Sequence, residues 1–145
     1  IPLPARCARV GMLPGPLRVW ALGEKVAQDL SIPHIRVICE GDPEIQRVFV
    51  ASGSGMGYFE EALRYQAEVI VTGDVRYHAA REALEMGMPV IDAGHYGLEK
   101  VAVRLLGTSF QKEFESRGLP VTCIQCDSEE EPFAALPSLP RRMFS

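Results

Sequence analysis

Hydrophobic positions along the chain change period several times, and each change marks an element. In "ALGEKVAQDLS", residues 21–31, apolar side chains recur at helical spacing, and Pro33 stops the run. "IRVIC" (35–39) and "RVFVAS" (47–52) are short β-branched runs separated by the turn-forming "EGDPE", which predicts two strands. "MGYFEEALRYQA" (56–67) returns to an amphipathic helical pattern, "EVIVT" (68–72) is a buried strand, and "VRYHAAREALEMG" (75–87) is a second amphipathic helix closed by Gly87. "MPVIDA" (88–93) predicts another strand, residues 98–118 a long helical stretch with a break at Gly107, and "LPVTCIQC" (119–126) a last strand.

Helix and strand therefore alternate. This predicts an α/β fold with a mostly parallel or mixed sheet covered by helices. Residues 1–19 are rich in Pro, Gly and Arg and are expected to form a leader or linker, leaving 20–145 as one α/β domain. The chain opens at Ile1 without a methionine, so the expectation is a piece with an amino-terminal part missing.

Composition narrows the partners. At 145 residues, 47% hydrophobic and 23% charged, the chain can bury a core of its own. A formal charge of -4, with no basic run beyond "PRRMF", argues against general affinity for nucleic acid. No apolar stretch approaches the roughly 20 residues of a membrane span, and no signal-peptide pattern is present, so a cytoplasmic setting without membrane contact is expected. Of the four cysteines, Cys123 and Cys126 form a C-x-x-C. No second pair completes a zinc ribbon, because Cys7 and Cys39 are too widely spaced, and a strand is the wrong setting for a redox pair, so structural or incidental thiols are expected.

Three polar constellations follow predicted strands, where ligands collect in open α/β sheets. "GSGMG", from Gly53 to Gly57, lies between a strand and a helix. Backbone N–H groups of Gly53, Ser54 and Gly55 could hold an anion there, or the turn could simply allow close packing; neither a Walker nor a dinucleotide fingerprint is completed. "TGDVRYH" sets Asp74 four residues before His78. Asp74 is expected to cap the next helix while His78 faces the same mouth, where the two could bind metal, move a proton or orient a ligand, against the alternative of an exposed cap and a surface histidine.

"DAGHYGLEK" is the sharpest of the three. His95 and Glu99 stand at i, i+4, so a helix starting beyond Gly94 projects both from one face. An imidazole nitrogen with a carboxylate suits Zn, Mn or Fe, although a local hydrogen bond between them explains the spacing equally well. A catalytic zinc generally takes three protein ligands, so the pair needs further donors. Asp92, just ahead, is a candidate to orient the imidazole.

The span from Val48 to Phe114, with its Gly-Ser-Gly turn, "TGDVRYH" and "DAGHYGLE", resembles the carboxyl-terminal half of the Nif-three-like family of dinuclear-metal proteins, also labelled type-2 GTP cyclohydrolase I-like. "RVG" at Arg9 to Gly11 resembles the link into that half. The resemblance implies that His95 and Glu99 are ligands of a divalent pair, that Asp74 and His78 line the surrounding pocket, and that the protein assembles as a homo-oligomer, in the family a toroidal hexamer. The remaining ligands, a histidine pair and an aspartate, come in that family from the amino-terminal half, which residues 1–47 do not supply. Leu98 stands where the family commonly has Thr. The implied activity is metal-dependent hydrolysis of a nucleotide or phosphoester. Its rivals are a non-catalytic, metal-stabilised oligomeric binding or regulatory module, and a metal-free nucleotide-binding domain using Gly53 to Gly57.

Overall fold

The computed structural model describes residues 8–126 and 128–133; Cys7, Asp127 and "PRRMF" lie outside the described residues. Five strands, β1 (Ala8–Arg18), β2 (Arg36–Ile38), β3 (Glu44–Ala51), β4 (Val69–Thr72) and β5 (Val90–Asp92), form one sheet in the order β1-β3-β4-β5-β2. The helices are α1 (Val19–Leu30), α2 (Phe59–Arg64, preceded by a 3-10 turn at Gly55–Tyr58), α3 (Tyr77–Glu85) and α4 (His95–Ser116). β3, β4 and β5 run parallel, and the edges β1 and β2 are antiparallel to their neighbours. The sheet is therefore mixed around a parallel centre.

Alternation along the central strands sends side chains to two cores. Val69 and Val71 face α1 with Val48 and Ile91, while Ile70 faces α2 and α3 with Phe49 and Val90. On one side Val19 and Leu22 of α1 and Leu98 of α4 cover the sheet; on the other, Phe59 and Ala62 of α2 and Ala83 of α3 do. Strands buried on both faces read as continuous apolar runs, which is why "EVIVT" and "MPVIDA" carry no alternation.

Two segments depart from the sequence reading. Residues 8–18, expected to be linker, form β1, paired with β3 from Ala8↔Ala51 to Arg18↔Glu44. Between Met12↔Arg47 and Leu17↔Ile45 the register shifts, so Leu13, Pro14, Gly15 and Pro16 lie opposite Gln46 alone. Prolines cannot donate to a ladder, and a bulge on an edge strand is where they are tolerated. The composition that suggested a linker is thus the composition of a bulge.

"LPVTCIQC" is not a strand: residues 119–126 are irregular. Their backbone bonds to α4 instead, with Leu119 N–H donating to the Phe114 carbonyl and Cys123 N–H to the Gln111 side chain. No sheet edge reaches this segment within the described residues, so its strand propensity has no ladder to join. Cys123 is half-buried there, and Cys126 Sγ lies 3.1 Å from Ser128 Oγ. α4 runs through Gly107 without a break, since one glycine costs only about 1 kcal/mol in a helix of 22 residues.

Candidate metal centre

The parallel register aligns the carboxyl ends of the central strands, with Val50 opposite Val71 and Thr72 opposite Asp92. The three loops that follow are then joined by backbone bonds, Gly73 N–H to the Gly53 carbonyl at 2.9 Å and Ala93 N–H to the Thr72 carbonyl at 2.8 Å. The Gly53 turn, Asp74, and His95 with Glu99 therefore meet at one mouth.

α4 opens at His95, and one turn places His95 Nε2 3.0 Å from Glu99 Oε1. The other ring nitrogen, Nδ1, lies 2.7 Å from Asp74 Oδ2. About half of each of the three side chains is exposed, so the group opens to solvent. The Asp74 carboxylate accepting from the ring holds the His95 imidazole above its usual range; partial burial opposes this, and the charge of Glu99 adds to it.

Reaching His95 requires close approach. Asp74 sits in the left-handed region at φ 54, which aspartate tolerates better than most residues. At Gly73 a Cβ would lie 2.6 Å from the Gly94 carbonyl carbon, so any side chain would push the two loops apart. Gly53, at φ +65, lies over the pair: a Cβ there would stand 2.8 Å from Glu99 Oε1 and 3.3 Å from His95 Nε2.

Asp92 is not the group that orients the ring. It is buried, its Oδ1 accepts from Gly94 N–H at 3.0 Å, and its Oδ2 accepts from Val75 N–H at 3.1 Å and from the Arg36 guanidinium. It ties two loops together, and Asp74 takes the orienting position. Nor does Asp74 cap α3, whose N-cap is Arg76. His78 is exposed on α3, edge-on to the Tyr77 ring at 5.5 Å between centroids, and is not brought to His95 by any described contact. The Gly53–Gly55 turn is a wall over the pair. Its Gly55 N–H is taken by Thr72 Oγ1 at 2.8 Å and the Gly53 carbonyl at 3.1 Å, so it is committed within the turn. Sequence reasoning missed Thr72, a buried hydroxyl in an apolar strand; its position at a strand end beside two glycine motifs was the available clue.

The donor chemistry fits a cation. With Nδ1 donating to Asp74, the neutral ring presents a lone pair at Nε2 toward a carboxylate oxygen, and two acceptors at 3.0 Å need a proton or a metal ion between them. His95 and Glu99 are the residues that would hold it. Among the described residues no group of three or more His, Cys, Asp or Glu is placed to bind a metal together, so these two are a partial set. No helix among them is long and apolar enough to cross a membrane.

Comparison with known proteins bears on the family and the fold. A GTP cyclohydrolase 1 type 2 homolog of Streptococcus pneumoniae is 28% identical over 122 residues, covering 81% of this chain and 46% of the relative. Its counterpart in Halalkalibacterium halodurans is 30% identical over 125 residues, covering 86% and 33%. The chain thus spans less than half the length of these curated relatives. Among solved structures, the Staphylococcus aureus hypothetical protein SA1388 superposes with a TM-score of 0.84 at 26% identity, over 89% of this chain and 43% of that one. A Bacillus cereus protein related to NIF3 does so with a TM-score of 0.84 at 29% identity, over 89% and 36%. Residues 4–132 match the Duf34/NIF3 (NGG1p interacting factor 3) family, and the chain belongs to it.

Proposed function

We propose that this chain supplies one side of a divalent-metal site, with His95 and Glu99 as ligands for Zn, Mn or Fe, in a metal-dependent hydrolase acting on a nucleotide or phosphoester. One observation carries the reading: the His95 ring stands between two carboxylates, Nδ1 2.7 Å from Asp74 Oδ2 and Nε2 3.0 Å from Glu99 Oε1, so that with the ring proton on Nδ1 the Nε2 lone pair faces Glu99. The names of the curated relatives, GTP cyclohydrolase 1 type 2 homologs, support hydrolysis of a purine nucleotide. A divalent cation held there supplies charge that polarises a carbonyl or phosphoryl oxygen and acidifies a bound water. The chain's own part is to bind and orient. Asp74 keeps the ring in one tautomer, Glu99 contributes negative charge, and Gly53 leaves the face of the pair clear of a side chain.

Two donors leave coordination positions for groups outside this set, in a longer protein or in a second copy within a cytoplasmic homo-oligomer. The apolar surface of α4 supports assembly, with Leu105 and Phe110 exposed by 64% and 52%. That surface also favours a second reading, a binding or regulatory module whose metal stabilises the oligomer without turnover. Elemental analysis of natively purified protein, beside His95→Ala and with oligomeric mass from the same sample, tests the metal. The expected result is bound metal that His95→Ala loses; no metal in either protein rejects the site. A screen of nucleotides and phosphoesters separates the readings, since turnover abolished by His95→Ala excludes the module.

A further inference from the structure

β4 reads Val69-Ile70-Val71-Thr72, and its last side chain is as fully buried as its first. A hydroxyl taken out of water must find partners, and this one has two. Thr72 Oγ1 donates to the Gly53 carbonyl at 3.1 Å and accepts from Gly55 N–H at 2.8 Å. The Gly53 carbonyl also accepts from Gly55 N–H at 3.1 Å and Gly73 N–H at 2.9 Å. A valine of nearly the same shape would suit the apolar strand and keep the sheet, yet could not hold the turn. Gly53, the residue held, is the one whose missing side chain leaves room for the two donors: a Cβ there would stand 2.8 Å from Glu99 Oε1 and 3.3 Å from His95 Nε2.

We infer that Thr72 is a positioning residue for the metal pair: its hydroxyl clamps the Gly53–Gly55 turn to the end of β4 and so sets the affinity of His95 and Glu99 for a divalent cation. The inference rests on the reading of those two residues as metal donors. Without the hydroxyl the turn keeps only its backbone bonds, and Gly53 is free to close on the two donor atoms or to lift and admit water between them. Groups that fix ligands from behind typically change metal affinity about 10- to 100-fold.

Stability and affinity separate in the test. Thr72→Val leaves the Gly53 carbonyl two N–H donors and Gly55 N–H the Gly53 carbonyl, so the fold is retained. Thr72→Ser keeps the hydroxyl and loses a buried methyl. Zinc alone is titrated calorimetrically into the full chain, the two variants and His95→Ala, and metal-free unfolding temperatures are measured on the same samples. His95→Ala gives the background from other donors such as Cys123 and Cys126.

Thr72→Val is expected to stay folded with a modestly lowered unfolding temperature and to bind zinc at least about tenfold more weakly. Thr72→Ser is expected to unfold earlier with near wild-type affinity. Should the valine variant not fold, Thr72→Ala carries the same expectation for zinc. Equal affinity in the variant lacking the hydroxyl, or a loss that serine does not recover, overturns the clamp and leaves the metal reading standing. A wild-type chain that binds no zinc, or binds it no better than His95→Ala, overturns both.

Discussion

Asp74 and His95 are 21 positions apart in the chain, and their side chains meet at 2.7 Å, carboxylate Oδ2 against imidazole Nδ1. The contact exists because the β4–α3 and β5–α4 loops approach so closely that a Cβ at Gly73 would lie 2.6 Å from the Gly94 carbonyl carbon, and because Asp74 accepts a left-handed backbone. It leaves Nε2 as the one ring nitrogen directed at Glu99.

Asp74→Asn keeps the shape and removes the charge. The His95 pKa, raised first by the Asp74 hydrogen bond, should fall back toward the ordinary histidine range. In the metal-free protein a raised folded pKa contributes stability that is fully present below the unfolded value and lost as pH rises through the folded one. The variant should lose that acid-side contribution, and its metal affinity should drop about tenfold or more. Histidine side-chain NMR titration and calorimetry at fixed pH read the two effects; an unmoved pKa would contradict the assignment.

Gly53→Ala places a methyl 2.8 Å from Glu99 Oε1 at a backbone φ of +65. The left-handed backbone alone costs a non-glycine residue about 1 to 2 kcal/mol. Glu99 must also move, so metal binding should suffer beyond the stability loss. Denaturant unfolding beside zinc titration checks this, and wild-type metal affinity would show that Gly53 does not define the site.

Asp92→Ala removes the acceptor of Val75 N–H, Gly94 N–H and the Arg36 guanidinium at once. Arg36 is largely exposed and can turn to water, but the buried Val75 N–H and part-buried Gly94 N–H left without partners should lower stability by about 2 to 4 kcal/mol. The damage is expected in the two loops, so amide exchange at Val75 and Gly94 should rise more than in the middle of β4.

Glu68 accepts backbone N–H groups from Gln46 at 2.6 Å and Arg47 at 2.7 Å, fastening the start of β4 to β3. The Arg47 bond, then the Gln46 bond, hold its carboxyl below the usual range. A depressed folded pKa contributes stability that is present above the unfolded value, about 4.3, and is lost as pH falls through the folded one. Glu68→Gln should therefore flatten the acid side of the stability profile and leave its neutral-to-alkaline slope unchanged. Urea unfolding from pH 3 to 7 measures it; parallel profiles would remove Glu68 from the account.

Local periodicity alone determined much of this protein. The apolar runs of β4 and β5, the amphipathic patterns of α1 to α3 and the i, i+4 spacing of His95 and Glu99 are each set by neighbours within a few positions, and the α/β class follows from their alternation. Spacing could not decide whether that pair binds metal or each other, because both need the same helix face. Nor could it distinguish a linker from β1, whose Pro14 and Pro16 fit only because a bulge on an edge strand needs no donor from them. Residues 119–126 failed in the opposite direction: their pattern is strand-like, but a strand exists only where another strand's N–H and C=O groups face it. Tertiary structure alone chose Asp74 over Asp92 as the partner of His95, left His78 on the surface, and laid the Gly53 turn beside His95 and Glu99 with Thr72 bonded to it. Those choices depend on how closely three loops approach after the sheet has formed, and glycines without side chains set that distance.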